Sequence, residues 1–154
     1  MSLTIRTLLP GDESEWLRMR SLLWPDCPLP KHKEEMQEIL SANTANAVFV
    51  AWRSSGGLGG FLEISIRSYA DGCDTRPVGY IEGWFVDEDL RRQKVGAQLV
   101  QAAEEWARTK GLQEIASDCL LENEISFRAH LSLGYEETER LIHFRKWLVS
   151  PPRF

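Results

Sequence analysis

The sequence predicts one α/β domain over residues 1–149, with a short tail at 150–154, built on a mixed sheet. Residues 77–86 are apolar on both parities, which is typical of a strand buried on both faces. Residues 95–110 carry apolar side chains at three- and four-residue spacing, which predicts an amphipathic helix. Residues 113–119 follow that helix as another strand, which should therefore lie parallel to the first.

The amino-terminal part predicts a strand and two helices. Residues 4–9 alternate and indicate a strand, and residues 13–23 indicate a helix that packs on the sheet. The side chains expected on its buried face are Trp16, Met19, Leu22 and Leu23. Prolines in residues 24–30 interrupt the helical pattern, so a second helix is expected only over residues 31–40.

The middle of the chain predicts a β-hairpin followed by a long loop. Residues 47–52 and 58–66 read as two antiparallel strands joined by a tight turn at 54–57. Residues 67–76 are polar and join the second of these strands to the central strand. Loops of this length often carry functional residues.

The carboxyl-terminal part predicts one more helix and one more strand. Residues 123–133 indicate a helix that ends before Gly134. Residues 135–148 alternate loosely and indicate a final strand, in one or two pieces, which would suit pairing across a homodimer. The expected order of elements is therefore β-α-α-β-β-β-α-β-α-β.

Composition limits the classes of partner. The chain has 23 acidic and 18 basic residues, a net charge of −5. Nucleic-acid-binding domains usually carry a basic patch, so we expect no nucleic-acid partner, whereas the charge leaves room for a cationic one. The sequence has neither a secretory leader pattern nor an apolar run of membrane-spanning length, so we expect a cytoplasmic protein without a membrane partner.

Cysteine and histidine positions argue against disulfides and metals. The cysteines are Cys27, Cys73 and Cys119, which are odd in number and far apart, as is usual for reduced thiols. The histidines are His32, His130 and His143, which are also dispersed and lack acidic or thiol companions at metal-ligand spacing. We therefore expect no metal.

A basic turn links the central strand to the helix that follows it. Residues 91–96 contain Arg91, Arg92 and Lys94 and end on Gly96. Together with the unpaired N–H groups of a helix start, this composition predicts a phosphate site. A solvated basic turn is the alternative. Neither a Walker loop nor a dinucleotide-binding glycine pattern occurs in the sequence.

The order of these residues resembles the pyrophosphate loop of the GCN5-related N-acetyltransferases (GNAT family), Arg/Gln-x-x-Gly-x-Gly/Ala. Lys94 stands where that pattern has its middle glycine, so a side chain comes close to the backbone that a phosphate must approach. The resemblance implies the GNAT acyl-CoA N-acyltransferase fold and acetyl-CoA as co-substrate. The cofactor-binding residues it implies are Phe85, Val86, Arg91, Arg92, Gln93, Lys94, Val95, Gly96, Ala97 and Asn123.

The last predicted helix also matches the family's spacing. Asn123 lies where the family binds the pantetheine arm or the pyrophosphate. His130 lies at the position of a tyrosine that protonates the leaving thiolate in many members, which makes His130 a candidate general acid. The alternative for His130 is a histidine packed on a helix face.

Five segments are similar to one subgroup, the aminoglycoside 6′-N-acetyltransferases. They are Leu23-Trp-Pro25, Tyr69-x-x-Gly-Cys-Asp74, Glu82-Gly-x-Phe-Val86, Ala116-Ser-Asp118 and Gly134-Tyr-Glu-Glu-Thr-Glu-Arg140. This similarity implies a small polycationic acceptor with several ammonium groups. The substrate-binding residues it implies are Trp24, Asp26, Tyr69, Asp74, Glu82, Asp118 and Glu137.

Two carboxylates are candidates for the catalytic base. Glu82 lies in an otherwise apolar strand, where burial without a partner is costly, so a functional role is favoured. Asp118 ends the neighbouring strand, although it also suits a role in capping the next helix. Glu137 and its acidic neighbours Glu136 and Glu139 are equally consistent with a solvated strand face. Trp24 suits stacking on a sugar ring, or simply the core.

The expected reaction is direct acetyl transfer, with Glu82 the first choice of base and Asp118 the second. A backbone N–H near Phe85 or Val86 would hold the thioester carbonyl and then the oxyanion. Cys119 has no histidine at a telling spacing, so a thiol nucleophile is disfavoured. Two alternatives remain open: an N-acetyltransferase acting on another polyamine or on protein amines, and a non-catalytic acetyl-CoA sensor.

Overall fold

The computed structural model describes residues 2–153, which contain one five-stranded sheet. Its strands are β1 (Leu3–Thr7), β2 (Asn46–Arg53), β3 (Leu58–Arg67), β4 (Val78–Val86) and β5 (Ile115–Ala116). They lie side by side in chain order; β1 to β4 are antiparallel, and β5 is parallel to β4. The helices are α1 (Glu13–Leu23), α2 (Leu29–Ser41), α3 (Val95–Thr109) and α4 (Glu124–Ser132). The predicted mixed sheet is confirmed, as is the parallel alignment of β5.

Helices α1 and α2 cover one face of the sheet. Trp16 and Met19 of α1 and Met36 of α2 are buried against strand residues such as Phe61. The prediction that Leu22 shares the buried face was wrong, because its side chain is exposed. Helical spacing from Trp16 instead brings the charged residue Arg20 onto the buried face.

Helix α3 covers the opposite face. Its residues Leu99, Val100 and Ala103 are buried against Leu62 and Ile64 of β3. The predicted helix over residues 95–110 is thus confirmed to within a residue. Among the helices of residues 2–153, none is both long enough and apolar enough to cross a membrane.

The second helix begins earlier than predicted. Pro28 is its N-cap and Pro30 lies in its first turn. A helix tolerates proline there because the first-turn N–H groups make no intrahelical hydrogen bond. The predicted loop over residues 24–30 is therefore too long, because residues 29 and 30 already belong to α2.

Strands β4 and β5 pair over only two residues before they separate. Gly79 pairs with Ile115 and Tyr80 with Ala116, so the predicted seven-residue strand over 113–119 was too long. Beyond Tyr80, β4 continues to Val86 alongside β3 alone. The divergence leaves an opening at the carboxyl end of β4, next to the loop that precedes α3.

The predicted final strand is absent from the described part of the chain. Residues 135–148 run on without strand pairing, and apolar side chains along them, such as Ile142 and Phe144, are 80% and 90% exposed. An alternating segment forms a strand only when a neighbouring edge accepts its hydrogen bonds. The two-residue β5 offers little such edge within this chain.

Candidate active site

The basic turn forms the entry to α3. Lys94 is the N-cap of α3 and has a left-handed backbone, with φ of 65°, and Arg92 has φ of 63°. Glycine adopts this conformation at no steric cost, which explains why the family pattern has glycine at the position of Lys94. The Lys94 side chain is exposed, so it lies outside the packed backbone of the turn.

Two of the three acidic residues just before this turn form ion pairs with arginines from other elements. Asp87 accepts hydrogen bonds from Arg18 of α1 and Arg53 of β2, and Asp89 accepts two from Arg53 at 2.8 Å each. These contacts lower the pKa of Asp89. The positive charges at Arg91, Arg92 and Lys94 are therefore not matched by these adjacent carboxylates.

Two contacts fix the turn against β4. The Arg91 Nε donates to the carbonyl oxygen of Val86 at 3.0 Å, and the Arg91 guanidinium lies 5.8 Å from the Phe85 ring centroid. A side chain at Gly96 would bring its Cβ to 3.2 Å from the Trp84 indole, so this close approach favours glycine. Leu22, Phe85 and Arg91 line an open cleft of about 680 Å³ beside the turn.

Trp84 carries a buried polar atom that the rest of the protein leaves unsatisfied. Its indole Nε1 has no hydrogen-bond partner within residues 2–153. The ring packs beneath Gly96 and edge-on to His130, with centroids 5.4 Å apart. The orphaned donor therefore lies between the helix start and α4, beside the opening of the sheet.

Helix α4 presents Asn123 and His130 in different roles. The Asn123 side chain caps α4 by accepting a hydrogen bond from the Ser126 N–H at 3.1 Å. The His130 Nδ1 lies 2.7 Å from the carbonyl oxygen of Ser126, so it carries the proton and donates. The His130 Nε2 lies 2.8 Å from the Ser117 hydroxyl. His130 is thus both packed and hydrogen-bonded, with Nε2 directed to the end of β5.

Glu82 occupies a β-bulge in the central strand. Glu63 pairs with Gly83 and Ile64 pairs with Ile81, so Glu82 is the extra residue between them. Its carboxylate accepts hydrogen bonds from the Ser65 hydroxyl at 2.5 Å and from Arg67 at 2.6 and 2.8 Å. The premise that this carboxylate is buried was wrong, because its side chain is 33% exposed.

Asp118 joins the same polar cluster through Tyr80. The Tyr80 hydroxyl donates a hydrogen bond to Asp118, and the Arg67 guanidinium lies 3.5 Å from the centroid of the Tyr80 ring. Burial, together with the Asp118 hydrogen bond, raises the pKa of Tyr80, so the phenol stays protonated at neutral pH. The structure therefore brings both candidate bases, Glu82 and Asp118, into one cluster, which we call the acceptor cluster (Arg67, Tyr80, Glu82 and Asp118).

A pocket of about 580 Å³ lies between the α1–α2 loop and the segment after β5. It is lined by Leu23, Trp24, Pro25, Asp26, Cys27, Glu35 and Leu120. A Cβ at Gly83 would lie 2.5 Å from the Trp24 ring, so the pocket adjoins the residue that follows Glu82. Sequence reasoning identified Trp24 and Asp26 here but missed Glu35, since one glutamate on a charged helix gives no signal.

A buried ionic network lies next to this pocket and contacts Trp24, one of its lining residues. The Arg20 Nη1 donates to Glu63 of β3 at 2.5 and 2.6 Å, and the Trp16 indole donates to the same carboxylate at 2.8 Å. The Arg20 Nε faces His32 Nδ1 at 3.3 Å, and the guanidinium lies 4.7 Å from the Trp24 ring centroid. We call Arg20, Glu63, Trp16 and His32 the buried network.

The sequence analysis did not predict the buried network, although the sequence contains a signal of it. Glu63 interrupts an apolar strand just as Glu82 does, and the cost of burying a carboxylate applies to both. Cys27, His32 and Glu35 also place metal-type donor atoms within 4.8 Å of one another, contrary to the expectation that His32 lacks such companions. His32 and Glu35 both bond Arg20, so two of these three donor groups are already engaged with that guanidinium.

Three other predicted acceptor residues, Tyr69, Asp74 and Glu137, make their contacts elsewhere. Tyr69 is exposed and stacks near Arg76, and the backbone N–H of Asp74 donates to Glu114 at 2.9 Å. Glu137 is exposed and forms an ion pair with Arg140. The contacts of these three residues hold the loop and the carboxyl-terminal segment, and are not with Glu82.

Comparison with known proteins agrees with this architecture. The family model described as "Acetyltransferase (GNAT) family" matches residues 16–135. An aminoglycoside N(6′)-acetyltransferase type 1 of Klebsiella aerogenes is 44% identical over 144 residues, which cover 92% of this chain and 95% of the relative.

Two solved structures are similar over almost the whole chain. AAC(6′)-Iy in complex with the bisubstrate analogue CoA-S-monomethyl-acetylneamine has a TM-score of 0.90 and 40% identity, covering 96% of this chain and 99% of that one. The 6′-N-acetyltransferase AAC(6′)-Ih from Acinetobacter baumannii has a TM-score of 0.88 and 36% identity, with coverage of 96% and 100%. The resemblance inferred from the turn and the last helix is confirmed: the chain belongs to the GNAT acetyltransferase family.

Proposed function

We propose that this protein transfers the acetyl group of acetyl-CoA to the 6′-amino group of an aminoglycoside. The observation that carries the proposal is the convergence of Glu82 and Asp118 in one cluster beside a pocket that contains Asp26 and Glu35. A small acceptor with several ammonium groups suits four carboxylates at one end of the sheet. The activity in the names of the relatives supports the same assignment.

The opening between β4 and β5 suits acetyl-CoA as the co-substrate. The backbone N–H groups of residues 93–96 at the start of α3 would bind the pyrophosphate, with Arg91 and Lys94 adding positive charge. The exposed side chain of Lys94 and the orphaned Trp84 Nε1 are both compatible with a bound polar ligand. A backbone donor near Phe85 or Val86 would hold the thioester carbonyl and stabilise the oxyanion.

In the proposed reaction, a carboxylate takes a proton from the acceptor ammonium, directly or through water. Glu82 is the first candidate because it lies at the bulge next to Gly83 and the Trp24 ring. Asp118 is the second. The amine then attacks the thioester carbon, its nitrogen gives up a second proton to water, the oxyanion collapses with cleavage of the C–S bond, and the thiolate leaves. Most of the rate enhancement would come from positioning the two substrates together.

His130 remains the proposed proton donor to the leaving thiolate. Its Nδ1 is committed to the Ser126 carbonyl, so Nε2 is the nitrogen available for proton transfer. In neutral imidazole Nε2 accepts from Ser117, and only imidazolium donates from it.

We also propose that the protein works in the cytoplasm as a homodimer. The exposed apolar side chains of residues 141–149 are expected to be covered by a second copy, with the predicted final strand pairing across the subunits. Sedimentation equilibrium should give twice the chain mass. Combined Ile142→Asp and Phe144→Asp should give monomer, with Leu40→Asp on α2 as the control. A monomeric wild type would contradict this arrangement.

The experiment that tests the activity measures thiol release from acetyl-CoA with kanamycin, tobramycin, spermidine and a lysine peptide. Fast turnover is expected with the two aminoglycosides only. Turnover with spermidine or the peptide alone would replace the proposed substrate with another polyamine or a protein amine. Tight acetyl-CoA binding with no release for any acceptor would indicate a sensor instead of an enzyme.

A further inference from the structure

Arg67 already occupies the carboxylate that the acceptor is proposed to use. Its Nη2 lies 2.6 Å from Glu82 Oε1 and its Nε lies 2.8 Å from Glu82 Oε2, so the pair is a two-point fork. The guanidinium also stacks on Tyr80 at 3.5 Å. Both side chains of the pair are substantially exposed, at 44% for Arg67 and 33% for Glu82. A cation from solution can therefore reach the same oxygens.

The charge of the acceptor cluster limits what an amine with one charge gains at Glu82. Glu82 and Asp118 carry negative charge and Arg67 carries positive charge, while Tyr80 stays neutral. An amine with one positive charge only exchanges one cation–carboxylate contact for another, and exposed contacts of this kind contribute little. A polycation that replaces Arg67 also gains contacts elsewhere.

Those further contacts are available in the adjoining pocket. Asp26 and Glu35 line it, and Trp24 connects it to Gly83 beside Glu82. A molecule with several ammonium groups can therefore bind Glu82 and the pocket carboxylates together, whereas a single amine cannot.

We propose that Arg67 is an internal counter-ion that the acceptor must displace from Glu82, so that an amine with one charge gains little at this carboxylate and a polycation binds through its further contacts. This role rests on the proposed function, because it takes Glu82 as the acceptor's carboxylate. Arg67 is a counter-ion that lowers acceptor affinity in this account, and Glu82 remains the candidate base.

The test compares Arg67→Gln with wild type, using kanamycin and the monoamine 6-amino-6-deoxyglucose. Gln keeps a hydrogen-bond donor near Glu82 but removes the charge. Every acceptor must displace Arg67 at the same cost, so the kcat/KM values for kanamycin and for the monoamine should both rise, by a similar factor of about two- to fivefold. Arg67→Lys keeps the charge and should give a smaller rise for both amines. Arg108→Gln, which removes the same charge from the exposed partner of Glu105 on α3, is the control and should change neither value.

Several results would overturn the proposal. Unchanged kcat/KM values for both amines in Arg67→Gln would remove the counter-ion role, and a higher KM for both amines would show that Arg67 only positions Glu82. Calorimetric titration of both amines into both proteins needs no turnover and therefore tests the role separately. Tighter monoamine binding by Arg67→Gln, in a protein that never acetylates kanamycin, would keep the counter-ion and reject the proposed reaction.

Discussion

Two arginine–glutamate pairs lie on the same face of the sheet but differ in their exposure to solvent. Arg20 and Glu63 have side chains that are 1% and 5% exposed, whereas Arg67 and Glu82 are 44% and 33% exposed. Glu63 and Arg67 stand four residues apart on β3, so both project to the side covered by α1 and α2. The same type of ion pair is therefore buried in the protein interior at one position and accessible to cations from solution at the other.

The difference arises from what covers each glutamate. Trp16 and Trp24 flank Arg20 and exclude water, so the guanidinium must satisfy its partners completely. Burial raises the pKa of Glu63, and the contacts from Arg20 and Trp16 oppose that shift. Glu82 lies beyond this cover, at the bulge. Stability should thus depend on the buried pair and activity on the exposed one.

The largest effect should follow from breaking the buried pair. Arg20→Met leaves the Glu63 carboxylate buried without its counter-ion, which should lower the free energy of unfolding by about 3–5 kcal/mol. Urea denaturation measures this loss. The matched variant Arg67→Met should cost less than about 1 kcal/mol. Equal losses in the two variants would show that the contrast between the pairs is wrong.

The next effect should come from disturbing Trp24, which touches both regions. Gly83→Ala would place a Cβ 2.5 Å from the Trp24 ring and force the ring to shift. Displacing a substrate-positioning group by about 1 Å costs on the order of 10²-fold in rate, so kcat/KM for kanamycin should fall by about that factor. The KM for acetyl-CoA should stay the same. On the same strand, a Cβ at Gly79 would lie 3.5 Å or more from its neighbours, so Gly79→Ala serves as the control.

A pair of intermediate burial should give a smaller, pH-dependent effect. The Arg6 hydrogen bond lowers the pKa of Asp12, whose side chain is 14% exposed. Because the folded pKa lies below the unfolded one, the stabilisation is complete above the ordinary pKa and is lost as pH falls through the folded pKa.

Asp12→Asn should therefore lower stability by about 1 kcal/mol at pH 7. The difference from wild type should shrink as pH falls below the ordinary value of 3.8. Urea denaturation at several pH values provides the measurement. A difference that is independent of pH would remove the ionic explanation.

The smallest effect should appear at the basic turn, where exposed cations serve binding more than folding. Lys94→Gly relieves a left-handed backbone and should stabilise the protein by no more than about 1 kcal/mol, since glycine also gains entropy in the unfolded chain. The lost charge should raise the KM for acetyl-CoA. Thermal unfolding and initial rates measure the two changes, and Lys110→Gly, just beyond the end of α3, is a control for the KM. A Lys94→Gly variant with a lower melting temperature would contradict the strain argument.

Local pattern was enough to predict most of the fold. Apolar runs and turn residues located β2, β3, β4, α1 and α3 to within a few residues. The predicted final strand was wrong because residues 135–148 would need a free strand edge to pair with, and within residues 2–153 the two-residue β5 offers little such edge. The predicted length of β5 was wrong for a related reason. Strand β5 separates from β4 after two paired residues, and the composition of residues 113–119 does not show where two strands separate.

The site was predicted less completely because side-chain partners are set by register. Arg20 and Glu63 are 43 residues apart and Arg67 and Glu82 are 15 apart, so no local spacing reveals either pair. The bulge that exposes Glu82 follows from how β3 meets β4. The turn before α3 could be identified because its residues are contiguous. Glu82 and Asp118 of the acceptor cluster could be named from the sequence, whereas Arg67, Tyr80 and the contacts among the four residues needed the structure.

The most direct test of the central claim is the activity of Glu82→Gln with kanamycin as the acceptor. Gln keeps the shape and the hydrogen-bond acceptor but cannot take a proton at neutral pH. The account predicts that kcat falls by about 10²–10⁴-fold, with the free energy of unfolding unchanged to within about 1 kcal/mol. A Glu82→Gln enzyme with wild-type kcat would contradict the role of Glu82 as base and would move that role to Asp118.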